Sequence, residues 1–205
     1  MSQFLFEGFL LGIAYASPIG VQNIFVISNA LQNGMYKSLV TSVIVALMDI
    51  SLAIACILGL GHFLEQYLLL KFIITLIGSI YLLSVSWQLI KEIRSTKDLN
   101  TILTLDFNFW KICQRAFLLT WLNPHALLDG TTILGSYASG LTLSNRVIFC
   151  IGVACASLFW FLSLSLIAAI ISESGKSAKY LKFIKLLSAI TIAFFAIKML
   201  MKLEY

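Results

Sequence analysis

Charge is what this chain has least of. Only 11% of its 205 residues are Asp, Glu, Lys or Arg, while 60% are hydrophobic. A soluble domain carries roughly 25% charged residues, so this composition excludes a surface that faces water on all sides. Strict period-two alternation is also missing, which excludes the strands of a transmembrane barrel. The apolar runs have helix length, and the class is an integral membrane protein. No C-x-x-C pair occurs among Cys56, Cys113, Cys150 and Cys155, and the thiols read as small buried side chains. The net charge is +5, yet the basic residues form no groove or stripe and cluster instead between apolar runs. That pattern is a topology signal and excludes nucleic acid as a partner. No Lys or Arg precedes the first apolar run and Glu7 interrupts it. Ala14-Tyr15-Ala16 is therefore expected to lie in a retained span and not at a signal-peptide cleavage site.

What is present is a series of apolar runs at about 4–31, 38–61, 68–90, 116–138, 146–171 and 181–201. Each approaches the length of about 20 residues that a bilayer core requires. The last has a short charge-free centre flanked by Lys182, Lys185, Lys198 and Lys202. Snorkelling lysines make it a sixth span, with an interfacial helix as the alternative. With six spans, one side receives Lys37, Lys91, Arg94, Lys97, Lys111, Arg115, Lys176, Lys179, Lys182 and Lys185. The other receives Lys71, Arg146, Lys198 and Lys202. The positive-inside rule then predicts both termini outside and the 91–115 connection in the cytoplasm.

That connection divides the chain into a first half of about 1–90, a linker of about 91–112 and a second half of about 113–205. Each half has three spans, so corresponding helices run in opposite directions. The first helix of each half is interrupted: "SPIGVQN" in one, "TWLNPHALLDG" in the other. Paired interruptions at corresponding positions point to an inverted-repeat transporter with its site at the repeat interface. The fold class is thus all-α integral membrane, with six transmembrane helices as two inverted three-helix repeats and broken helices 1 and 4, forming one transporter domain over 1–205.

Pro18 removes a helix hydrogen bond, and Gly20 permits local unwinding. The amides of Val21, Gln22 and Asn23 then start a half-helix whose positive end attracts anions. A simple proline kink is the plainer reading of this motif alone. In the other half, Asn123-Pro124 has the order of an N-cap followed by proline at the first helical position. A helix that starts in mid-membrane is again a half-helix.

Two acids lie near these breaks. Asp49 is in mid-span, with Ser42, Ala46, Ala53 and Cys56 on its helical face, which predicts that this face points into the bundle. Asp129 is four residues after His125, so the two share a face. An aspartate at the centre of a membrane helix costs roughly 2.5–3.5 kcal/mol and is rarely tolerated without partners or a wet cavity. Helix ends for an anion together with carboxylates for a cation suit a basic amino acid, which carries both groups. A divalent metal would use the carboxylates and His125 but not the anion-seeking ends. Moving a cation out against the membrane potential costs roughly 2.3 kcal/mol per 100 mV, which suits exchange for an incoming proton. An aspartate could bind proton and cation alternately, and His125 either assists or is a satisfied structural histidine. Trp160 and Ser163 line the cavity or simply pack. The pair Gly152 and Ala156 is expected at a helix contact.

The string "SPIGVQNIFVISNALQNG", then "ALMDI", then "LNPHALLD" resembles the lysine exporter superfamily over nearly the whole chain. Gln22-Asn23 and the full Asn-Pro-His…Asp string resemble its basic amino acid exporter branch. Val21 departs from the small residue or proline often found before Gln-Asn there. The resemblance implies a homodimer in a bacterial inner membrane, among lipid, that exports L-arginine or L-lysine, with Asp49 and Asp129 as functional acids. The expected substrate-binding set is Asp49, Asp129, Asn123, Pro124, His125, Pro18, Gly20, Gln22 and Asn23, with no metal and no cofactor beyond a proton gradient. Export of a neutral amino acid or of a divalent metal cation is the alternative. An enzyme is not expected: thiol–disulfide chemistry needs two cysteines beside the breaks, and His62 and His125 lie on separate elements with no serine motif.

Overall fold

The computed structural model describes residues 2–18, 20–60, 63, 66–94, 108–173, 183, 186, 189–190, 192–194, 196–197 and 200–201. Most of the 91–115 connection, His62, and the lysines at 97, 176, 179, 182, 185, 198 and 202 lie outside the described residues. Among those described there are helices and no strand. In order they are α1 (Ser2–Ala16), α2 (Val21–Ile57), α3 (Leu68–Arg94), α4 (Phe109–Trp121) and α5 (Pro124–Asp129). A π-helical segment (Gly130–Gly135), α6 (Ser136–Ser139) and α7 (Leu143–Glu173) follow.

The first expected span is two pieces. α1 and the start of α2 meet at 79°, across the Ser17–Gly20 stretch. α2 is itself bent at Gly34, whose φ of 74° lies in the left-handed region that glycine reaches without strain. The arms 21–33 and 35–57 fold back on one another, because Val26 packs with Ile44 and Val45 in one cluster and Thr41 donates to Asn29 at 3.1 Å. By length and composition, Asn33–Ile57 and Leu143–Ser172 can each cross a membrane, as can the bent α1–α2 pair if it counts as one span.

Small and polar residues mark an inward face on α2. On the second arm of α2, Ser42, Ala46, Asp49, Ala53 and Cys56 are buried, while Val43, Leu47 and Ile54 are exposed. The expected inward face of Asp49 is the observed one. α1 lies on α7 at a distance only glycine permits: a Cβ on Gly8 would overlap the Phe149 carbonyl oxygen, and one on Gly152 the Leu5 carbonyl oxygen. Gly12 meets Val153 and Ala156 in the same seam. Van der Waals packing, not the hydrophobic effect, holds membrane helices together, and close backbone approach maximises it. The expected contact through Gly152 and Ala156 is present. Cys155, by contrast, is exposed and not a buried thiol.

Two boundaries differ from expectation. α4 begins at Phe109, well before residue 116, because the Asn108 side chain accepts from the amides of Trp110 and Lys111 and caps the helix. Ile112 and Ala116 then face the core while Trp110 and Lys111 stay exposed. In the last segment, the described positions Ala189, Ile192 and Ala196 are buried, and Phe183, Leu186, Ile190, Phe194 and Ile197 are exposed. That is helical periodicity against one neighbour. Ser86 of α3 donates to the Ala189 carbonyl at 2.8 Å, and Ile192 and Ala196 join Leu82, Val21, Ile24 and Leu119.

Candidate functional site

Both breaks arrive at the same place. At the first, α1 ends at Ala16 and α2 starts at Val21, with Gly20 in extended backbone and no side-chain cap. Two carbonyls released by the break are recovered by one side chain: the Asn23 amide nitrogen donates to Ala16 O at 3.2 Å and to Pro18 O at 2.7 Å. The Asn23 oxygen accepts from the indole N–H of Trp160 at 3.1 Å. Indole is only a donor, so this contact fixes which end of the amide faces the carbonyls. Pro18 itself is exposed and Gly20 half-buried.

At the second break, α4 stops at Trp121 and Asn123 is extended. Asn123 accepts from the His125 amide at 3.2 Å, and Pro124 occupies the first helical turn as expected. Proline there forfeits only an amide that would have no helical partner. One turn on, His125 Nδ1 and Asp129 Oδ2 are 2.7 Å apart, with 35% and 29% of their side chains exposed. The helix then widens into the π-helical segment, a local form common at functional sites. There Gly130 faces Cys56 and the ring of Tyr15, and Gly135 faces the Cys56 carbonyl.

Gln22 joins the two breaks. From the first turn after break one it donates to Thr120 Oγ1 at 2.7 Å, just ahead of break two. Its amide nitrogen is also 3.5 Å from Asp49 Oδ1. Asp49 is 1% exposed and accepts from Ser157 of α7 at 2.7 Å through Oδ2. The hydroxyl of Tyr15 is buried beside Asp49 without a hydrogen bond of ordinary geometry. It lies within electrostatic reach of both Asp49 and Asp129.

Of the sequence-predicted residues, Gln22, Asn23, Asp49 and Asn123 are brought to the bundle interior. The His125–Asp129 pair sits apart from them and is partly open, connected through Gly130 and Tyr15. Asn23 is fully engaged in holding the break. Tyr15, Thr120 and Ser157 were not anticipated. Thr120 immediately precedes the break and Ser157 sits mid-helix among apolar residues, and those positions were the available signals. Trp160 makes a polar contact as well as packing. Trp121, partly buried, packs against Leu52, Cys56 and Ala126 and donates to Ser51 at 3.1 Å.

The family described as LysE type translocator matches residues 13–203. The chain is similar to the arginine exporter protein ArgO of Salmonella paratyphi A, at 31% identity over 94% of this chain and 90% of the relative. It is likewise similar to the ArgO proteins of Salmonella typhimurium, with the same identity and coverage, and of Enterobacter sp. (strain 638). For the last, identity is 31% over 97% of this chain and 94% of the relative. No solved structure matches the chain.

Proposed function

The chain belongs to the LysE family of translocators, transporters and not enzymes, and from that premise we propose that it exports a basic L-amino acid, arginine foremost, across the bacterial inner membrane. The observation that carries this reading is Gln22, which joins the two helix breaks through Thr120 and brings them to the buried carboxylate of Asp49, with the partly open Asp129 set apart from it. The arginine-exporting relatives support the choice of substrate.

In this reading the carboxylate of the amino acid is held by the positive ends of the half-helices that begin at Val21 and Pro124. The side-chain cation goes to Asp129, the more exposed of the two carboxylates. A guanidinium matches a carboxylate in a two-pronged fashion that an ammonium does not. Asp49 takes proton and cation in turn, which couples export to proton entry. The scaffold is six spans in two inverted repeats, 1–90 and 113–205, with a linker of about 91–112, termini outside, the 91–115 connection cytoplasmic, and two copies in a homodimer. A divalent metal would use the carboxylates and His125 but would gain nothing from the anion-seeking ends of the half-helices.

The test is an efflux assay in cells fed arginine-containing or lysine-containing dipeptides. Expression of the protein is expected to lower the free basic amino acid retained in the cell, and collapse of the proton gradient is expected to stop net uphill export. Equal retention with and without the protein rejects the substrate assignment. Uphill export that survives an uncoupler rejects proton coupling.

A further inference from the structure

Polar side chains recur beyond the central cluster at intervals that stack into levels. On the first arm of α2, Asn29 follows Gln22 by seven residues and Asn33 follows by eleven, which puts all three along one stripe. On the second arm, Thr41 and Ser42 precede Asp49 by the same two turns. On α7, Ser165 follows Ser157 by eight residues. Because the arms of α2 run antiparallel, both stripes lead from Asp49 towards the Gly34 turn. α7 follows the same course, since Ser172 donates to the Leu31 carbonyl at 3.0 Å, close to that turn.

Between the two polar levels lies an apolar one. Val26 is one turn beyond Gln22, Val45 one turn short of Asp49, and Phe161 one turn beyond Ser157. Each is at most 1% exposed, and all three belong to one packed cluster.

Serines that donate to their own helix need nothing further, as Ser38 and Ser42 do. The upper level differs. Ser28 Oγ, Asn29 Nδ2 and Ser165 Oγ are buried with no partner, as is Asn33 Nδ2 nearer the turn. Residue exposures are 9% for Ser28, 2% for Asn29 and 0% for Ser165. An unpaired amide or hydroxyl in a membrane interior is costly unless water reaches it.

We infer that these groups line a vestibule between the two arms of α2 and the C-terminal half of α7, closed in this conformation, that opens towards the Gly34 turn and then fills with water. Val26, Val45 and Phe161 form an apolar gate that closes it off from the Asp49 cluster. A narrow apolar ring excludes water and ions without any charged latch. The vestibule admits the polar solute from the Gly34 side, and the gate layer must part for it to reach Asp49. The inference rests on the export reading for its solute, but the vestibule and the gate are tested without one.

Asn29→Cys, Ser157→Cys and Leu47→Cys are made in the full-length protein. Each is treated with a membrane-impermeant cationic methanethiosulfonate, in intact cells and in inverted membrane vesicles. Adducts are located by peptide mass spectrometry, so the native cysteines can remain. The cysteine at 29 is expected to react from one face of the membrane only, and that at the exposed position 47 from neither. From the face that labels position 29, the cysteine at 157 is expected to react slowly and to label several-fold faster when combined with Phe161→Ala. Val26→Ala repeats the test with a smaller cavity should Phe161→Ala not accumulate. A cysteine at 29 as silent as that at 47 overturns the vestibule, and an unchanged rate at 157 in both gate variants overturns the gate. Labelling with no arginine efflux would reject only the export reading, whereas normal efflux with a silent position 29 rejects only this one.

Discussion

The two breaks solve the same physical problem in different ways. Break one lacks a cap of its own: Gly20 contributes no side chain to the first amides of α2, and the chain turns by 79°. Its free carbonyls are collected by Asn23, which is in turn oriented by Trp160 from α7. Break two is self-contained. Asn123 caps the helix that immediately follows it, Pro124 starts that helix, and a π-helical turn takes up the remaining distortion. A break capped by its own sequence is a local structure. One whose carbonyls are held by a side chain that a helix more than a hundred residues away orients depends on the whole bundle being assembled. The first is therefore the more fragile and the better suited to change shape with packing, and the second is the steadier frame for the His125–Asp129 pair.

The strongest challenge is at Asp49, which the first turn after break one reaches through Gln22. Asp49→Asn keeps the volume and removes the charge. Arginine efflux is expected to fall by about a hundredfold, the equivalent of about 3 kcal/mol for a lost buried charge partner, with membrane abundance unchanged by immunoblot. Retained efflux would remove this carboxylate from the mechanism.

Next comes Asn23→Ala, which strands two carbonyls and the Trp160 indole. Its cost is expected to reach about 3 kcal/mol, read as a lower unfolding temperature in detergent. Gly130→Ala tests the far side of break two, where the added Cβ would lie 2.7 Å from Cys56 Sγ. Overpacking of this kind costs about 1–3 kcal/mol. Pairing it with Cys56→Ala is expected to recover part of the loss, and no recovery would put the clash on Tyr15 instead.

The smallest effects separate the two breaks most clearly. Asn123→Ala is expected to cost about 1 kcal/mol, the ordinary value of a helix cap. Pro18→Ala should stay within about 0.5 kcal/mol, as for an exposed position, because only the Pro18 carbonyl is used. Measured side by side, Asn23→Ala must exceed Asn123→Ala. The reverse order would mean that break one is the self-sufficient one.

Much of this arrangement was legible before any coordinates. The inward face of Asp49 followed from Ser42, Ala46, Ala53 and Cys56 at helical spacing. The capping role of Asn123 and the four-residue pairing of His125 with Asp129 also followed, since each is a relation within a single helix. Less legible was the start of α4, where a lone Asn108 cap outweighs the polar composition of its surroundings. The sharp turn at Gly34 was hidden too, since an apolar run on both sides of one glycine does not reveal a reversal of direction. Asn23 was expected among substrate-binding residues, and nothing local indicated that its amide would be spent on Ala16 and Pro18.

By itself, then, the sequence determined the class, the helical periodicities, the positions of both breaks and the faces carrying the acids. These depend on composition and on neighbours within about two turns. Only the tertiary structure decided which partners meet there: Gln22 with Thr120 across 98 residues, Ser157 with Asp49 across 108, and Trp160 with Asn23 across 137. In a membrane interior a polar group must find a partner somewhere. The sequence marks the groups that need one, but the choice depends on which helices approach closely enough, and that is set by seams such as Gly8 against Gly152 and Gly130 against Cys56.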